Sequence, residues 1–268
     1  MDYGLKNKVA LVTGAGSQIG FGKGIALCLG KEGCAVIVVD IDIEGAKKTA
    51  SELEALGYKA IALKADITSS AEVNTMVKAG LAKFGKIDIL VNNAGKSRIP
   101  ELIKATEDDW HANVDINLKG TWHCCRAVLP QMLERKNGKI VNVSSVVKYS
   151  FVSSVSSMVS AGRPARVGST LYLASKAGII GLTRSLAAEV GPSGINVNAI
   201  IPGMGDTGLY TERGGLNPMA KQRFESITPL KRLTVPQDIG NAVTFLVSDA
   251  ASDITGQTIQ VDSGDTMV

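Results

Sequence analysis

Short β-branched runs alternate with longer segments of helical spacing along most of this chain. Val9–Val12 predicts a strand closed by Thr13-Gly14, and Gly22–Glu32 a helix. Ala35–Val39 predicts a second strand ending at Asp40, followed by a helix over residues 43–56 that Gly57 stops. Ala60–Leu63 predicts a third strand, residues 69–84 a helix, and Ile87–Val91 a fourth strand. A long helix around 107–136 leads into a fifth strand, Lys139–Val143. Helix Tyr172–Val190, strand Ile195–Ile200, helix Pro236–Val247 with proline at its start, and strand Thr258–Val261 complete the pattern.

Strand–helix alternation of this kind specifies a parallel sheet with helices on both faces, an α/β fold. Seven strands in one continuous alternation leave no residues for a second unit, so residues 1–268 are expected to form one doubly wound domain. Two segments break the alternation. Residues 146–170 are Ser-rich and carry Arg163 and Arg166, which reads as an inserted loop. Residues 203–230 hold five glycines and two prolines, as expected of a substrate flap.

Composition mainly removes alternatives. With 45% hydrophobic and 20% charged residues in 268, the chain is neither disordered nor low-complexity. No apolar run reaches the roughly 18 residues of a spanning helix, so no membrane partner is expected. The start, Met1-Asp2-Tyr3-Gly4, lacks a basic segment followed by an apolar stretch, so a cytoplasmic protein is expected. A net charge of +4 without a block of like charges gives no footprint for nucleic acid. Cys28, Cys34, Cys124 and Cys125 form no C-x-x-C pair, and His111 and His123 stand apart. No metal is expected, and the cysteines read as small, partly buried thiols.

Two places carry chemistry. Between the first strand and first helix lies Gly14-Ala15-Gly16-Ser17-Gln18-Ile19-Gly20-Phe21-Gly22. Glycines there let the backbone turn and approach a pyrophosphate, while the helix N-terminus offers unpaired N–H groups. Asp40, at the end of the second strand, suits an adenosine ribose and repels a 2′-phosphate, and no Lys or Arg lies among residues 14–22. The cofactor expected is therefore NAD. The second place is Tyr172-Leu173-Ala174-Ser175-Lys176, which puts phenol and ammonium on one helix face. A unit charge at ~5 Å in an effective dielectric of ~20 contributes roughly 3 kcal/mol, about two pKa units toward phenolate. Tyr172 then enters the range of a two-way proton carrier.

With these motifs the chain resembles the short-chain dehydrogenase/reductase family, in its 3-oxoacyl reductase and secondary-alcohol dehydrogenase branch. The resemblance runs from Lys8 to the C-terminus and adds Asp66, Asn92-Asn93-Ala94-Gly95, Asn117, Ser144-Ser145, and Pro202-Gly203 with Thr207. It implies a Rossmann sheet in order 3-2-1-4-5-6-7 and a homotetramer. It makes Tyr172 the acid/base, with Lys176 on the nicotinamide ribose, Ser145 on the substrate oxygen and Asn117 at a relay water. Gly14, Ser17, Gln18, Ile19, Gly20, Asp40, Asp66, Ile67, Asn93, Gly95, Pro202, Gly203 and Thr207 would line the cofactor beside Tyr172 and Lys176. In these roles Asp66 and Ile67 contact adenine, Asn93 the adenosine side and Thr207 the carboxamide.

The chain departs from the family twice. Its glycine loop aligns either with Gly20-Phe21-Gly22 in the later glycine positions, or with Gln18 in place of the second glycine. The first keeps Lys23-Gly24-Ile25-Ala26 on the usual helix opening. The spacing from Ser145 to Tyr172 also exceeds the family's, and Tyr149 fits as the acid/base less well because Ser153 stands where its lysine would be needed. The extra segment is either a packing element or a substrate lid, in which Arg163 or Arg166 would pair with an acidic substrate. The function expected is NAD-dependent hydride transfer between a secondary alcohol and its ketone. Its alternatives are a 3-oxoacyl thioester reductase as the specific activity, a silent NAD-binding protein, or a sugar-nucleotide epimerase or dehydratase.

Overall fold

Strands buried on both faces need apolar side chains on each face in turn, and β1 (Val9–Thr13) has them from Val9 to Val12. Val9 and Leu11 pack into one core layer, and Ala10 and Val12 into the other. In this computed structural model, which describes residues 2–145, 170–207, 216 and 218–266, seven parallel strands form one sheet in the order β3-β2-β1-β4-β5-β6-β7. The others are β2 (Ala35–Asp40), β3 (Ala60–Lys64), β4 (Ile89–Asn92), β5 (Gly138–Val143), β6 (Ile195–Pro202) and β7 (Thr258–Val261).

Helices cover both faces. On one side lie α1 (Phe21–Lys31) and α2 (Ile43–Ala55), with Ile25, Leu29 and Leu53 buried against the sheet. On the other lie α3 (Ser70–Phe84) and α5 (Gly120–Arg135), with Met76, Val128 and Met132 buried. A short α4 (Glu107–Trp110), capped by Thr106, runs through a π-helical stretch, His111–Lys119, into α5. The helix expected over 107–136 is thus present, with widened turns near its start. Next come α6 (Thr170–Val190), α7 (Pro218–Ile227) and α8 (Pro236–Leu246), which joins the first layer through Ile239 and Val243. The flap region therefore contains a helix, α7, that its glycines and prolines did not suggest.

All seven strands point the same way, so their C-terminal ends share one edge. Strand order reverses between β1 and β4, and that switch point is where an α/β sheet leaves a crevice for a ligand. Residues 146–169 lie outside the described residues, and with them Tyr149, Arg163, Arg166 and nearly all of the expected insertion.

Candidate active site

The crevice is built from strand ends. Thr13 closes β1, and its hydroxyl accepts the N–H groups of Asn93 and Ala94, both at 3.1 Å. The Asn93 amide returns the tie, donating to the carbonyls of Thr13 and Gly14 at 3.0 and 2.9 Å. Loop and β4 end are thereby locked together. The lock is tight enough to require glycine: Gly14 has φ +65°, and a β-carbon there would lie 2.6 Å from Ala94 Cα.

The loop then delivers the chain to α1 with Gly20 as N-cap. That cap makes no side-chain hydrogen bond, and the first turn contains no acid. The N–H groups and positive dipole end are thus left for an external anion, as a dinucleotide's pyrophosphate requires. The helix start at Phe21 places Gly22 at its opening, in keeping with the alignment that uses Gly20 and Gly22. Within the loop, Ser17 accepts the Gly20 N–H in a turn, and Ile19 stays exposed. The Gln18 amide faces α2, within hydrogen-bond reach of Gly16 O, Gly45 O and Thr49 Oγ1.

Asp40 ends β2 half-buried. Its Oδ2 accepts the Gly16 N–H at 2.8 Å and its Oδ1 the Asp42 N–H at 3.1 Å, so the carboxylate is held in place while each oxygen keeps capacity for a ribose hydroxyl. Lys23, the first cation after the loop, pairs with Glu52 at 2.5 Å and donates to Gln18 at 3.1 Å. After β3, Asp66 Oδ1 accepts both the N–H and O–H of Thr68. Pro202 and Gly203 are buried where β6 ends, and Thr207 is buried beyond them.

On the other side of the switch point stands α6. Lys176 is buried, and its ammonium donates to the Val143 carbonyl at 2.9 Å, where β5 ends. Burial pulls its pKa from 10.5 down to about 8. The ammonium lies 5.9 Å from the centroid of the Tyr172 ring, so the one-face spacing holds in three dimensions. Ser144 is buried, and its hydroxyl donates to the Lys176 carbonyl at 2.8 Å. It is thus engaged in anchoring α6, while the adjacent Ser145 is half-buried.

Asn117 arrives from the π-helical stretch, a geometry often found at functional sites. Fully buried, it accepts the Lys96 N–H at 2.8 Å and donates to the Lys96 carbonyl at 2.9 Å and to Ser175 Oγ at 3.2 Å. Ser175 passes the connection on, donating to the Tyr172 carbonyl at 2.7 Å. Asn117 Oδ1 and Lys176 Nζ also flank one glycine: a β-carbon on Gly95 would lie 2.9 Å from the first and 3.4 Å from the second. Asn117, Gly95, Tyr172 and Lys176 therefore converge. Thr13, Ser144 and Ser175 hold this site together, yet in the sequence they stand within motifs with no role of their own. The one signal for them was position, each standing at a strand end or beside a motif residue.

Among the described residues, no group of three or more His, Cys, Asp or Glu could hold a metal ion, and no helix is long and apolar enough to cross a membrane. All four cysteines are free and buried.

Sequence comparison matches residues 14–266 to a family described as enoyl-(acyl carrier protein) reductase. The (2S)-[(R)-hydroxy(phenyl)methyl]succinyl-CoA dehydrogenase subunit BbsD of Thauera aromatica is 40% identical over 261 residues, 97% of this chain and 97% of its own. The 3-oxoacyl-[acyl-carrier-protein] reductase FabG of Thermotoga maritima is 38% identical over 260 residues, 97% of this chain and 98% of its own. The oxidoreductase UcpA of Salmonella typhimurium is 40% identical and spans 98% of this chain and 96% of its own.

Proposed function

The chain belongs to the short-chain dehydrogenase/reductase family of oxidoreductases, and from that premise we propose that it interconverts a secondary alcohol and its ketone using NAD, with Tyr172 as general acid/base. The observation that carries the reading is the Lys176 ammonium, buried and held 5.9 Å from the Tyr172 ring. A cation on that face would favour the phenolate over the phenol.

NAD supplies the hydride acceptor, or as NADH the donor, at the reacting carbon. In the reducing direction Tyr172 would give its phenolic proton to the carbonyl oxygen, the hydride being what bound NADH would supply. Ser145 holds that oxygen in line. Lys176 stabilises the resulting phenolate and bonds the nicotinamide ribose. Asn117, beside Lys176 across Gly95, holds the relay water through which the phenol regains its proton from solvent. In oxidation each transfer runs backwards.

On the cofactor side the loop from Gly14 to Gly20 and the open α1 N-terminus take the pyrophosphate. Asp40 takes the adenosine ribose, Asp66 and Ile67 wall the adenine, and Asn93 and Gly95 lie along the dinucleotide. Pro202, Gly203 and Thr207 receive the nicotinamide. The preferred substrate is a 3-oxoacyl thioester or its 3-hydroxy product, because the name of one relative specifies dehydrogenation of a hydroxy-bearing succinyl-CoA thioester and that of another a 3-oxoacyl reductase. The protein works as a homotetramer in the cytoplasm.

A spectrophotometric screen tests the reading. Acetoacetyl-CoA, crotonyl-CoA and simple ketones are offered with NADH, and a panel of secondary alcohols with NAD. Turnover of acetoacetyl-CoA supports it. Turnover of crotonyl-CoA alone would instead assign reduction of a carbon–carbon double bond.

A further inference from the structure

His123 is a buried titratable side chain to which the proposed hydride chemistry gives no task. It stands on α5 one turn beyond Gly120, and only 6% of its surface is exposed. Its Nδ1 lies 2.9 Å from the carbonyl oxygen of Ile67. A carbonyl oxygen can only accept, so Nδ1 carries the proton and the imidazole donates.

Ile67 follows Asp66 in the turn between β3 and α3, and its side chain is buried against the same helix. A β-carbon at Gly120 would lie 2.5 Å from Ile67 Cδ1 and 2.7 Å from Cγ1. The helix therefore grips Ile67 at two points one turn apart. The missing side chain of Gly120 admits the isoleucine methyl, and the His123 imidazole fixes the isoleucine carbonyl. Other hydrogen bonds around Ile67 are local, with the Thr68 N–H and O–H donating to Asp66 Oδ1 and the Asp66 N–H to Glu72 Oε2; at the strand end of the turn the Ala65 N–H donates to the Asp40 carbonyl at 3.1 Å. Those bonds set the turn's shape. The bond from His123 spans 56 positions in sequence and ties the Ile67 backbone, in the middle of the turn, to α5.

We propose that His123 is a positioning residue for the adenosine half of the cofactor, acting through the Ile67 carbonyl that it holds. The inference rests on the reading above in which Asp66 and Ile67 wall the adenine. Without the imidazole, a buried carbonyl loses its donor and α5 holds the turn by the Ile67 side chain alone. Binding must then restore its place, which weakens affinity without touching the reacting atoms.

The test compares wild type, His123→Phe, which keeps an aromatic ring but no donor, and His123→Gln, whose amide nitrogen restores one. Dissociation constants are measured for NADH and for ADP-ribose, which carries adenosine and pyrophosphate but no nicotinamide. kcat is measured at saturating NADH on the best ketone from the screen. In His123→Phe both dissociation constants are expected to rise roughly five- to tenfold, kcat to stay within about twofold, and His123→Gln to lie near wild type. Should His123→Phe not fold, His123→Asn, whose amide stops short of the carbonyl, takes its place. An unchanged ADP-ribose constant, or a kcat that falls in step with affinity, would overturn the proposal. Asp66→Ala run alongside separates the underlying reading: if it leaves both ligands bound as tightly as before, the adenine wall is misplaced, whatever His123 does.

Discussion

Asp40 is held by the fold at the place where the proposed cofactor preference would arise. Its two oxygens hold the Gly16 and Asp42 amides, so it cannot swing away when a ligand arrives. A 2′-phosphate would meet this fixed negative charge, and Lys23 is already paired with Glu52. kcat/KM should therefore be higher with NAD(H) than with NADP(H). Asp40→Ala should narrow the gap, since Lys64, its exposed register neighbour on β3, would become the adjacent charge. Equal or greater efficiency of the wild type with NADP(H) would contradict this. Lys176 yields a pH prediction. Its pKa falls from 10.5 to about 8 on burial, so between those values the unfolded chain holds a proton that the folded chain has released. The cost of burying the charge is thus full below pH 8 and is relieved as pH rises toward 10.5. In urea melts of the free protein, wild type should gain on Lys176→Met by up to about 3 kcal/mol across that window; a gap independent of pH would count against it. Tyr172, Lys176 and Asp40 were legible because short motifs carry them. The tie from His123 to Ile67 was not, because a single histidine gives no sign of a partner 56 positions away.

At the scale of elements, the chain's spacing located each strand and most helices to within one or two residues. The π-helical stretch His111–Lys119 was hidden, since over nine residues a widened turn leaves almost the same apolar pattern as an ordinary one. In α7, Pro218 is a proper helix-start signal, but the glycines before it read as loop. A third feature emerges only from packing. Asp88, just before β4 and 4% exposed, accepts the Val9 N–H at 2.8 Å, Lys86 at 3.0 Å and Arg135 at 2.6 Å. It thereby ties β1, β4 and the end of α5 at the edge opposite the active site. Asp88→Ala leaves a buried amide unpaired and two cations without their anion. It should lower stability by about 2–4 kcal/mol in denaturant melts. Because the site lies at the other edge, kcat should change little, and a large fall in kcat with unchanged stability would refute the assignment.

For the molecule as a whole, strand order was legible only through the family resemblance; periodicity specified a parallel sheet but not which strands are neighbours. The fold leaves large apolar side chains exposed on outer elements: Trp122 and Leu133 on α5, Phe245 on α8 and Ile259 on the edge strand β7. Such surfaces favour burial against further copies of the chain, and sedimentation at micromolar concentration should give a tetramer's mass; a monomer across that range would refute this. Every part of the proposed chemistry finally meets at Tyr172, so the most direct measurement is kcat for Tyr172→Phe beside wild type on the best ketone, with NADH affinity recorded in parallel. The account predicts a loss of at least about a hundredfold in kcat with NADH binding retained. Near-normal turnover by Tyr172→Phe would contradict it.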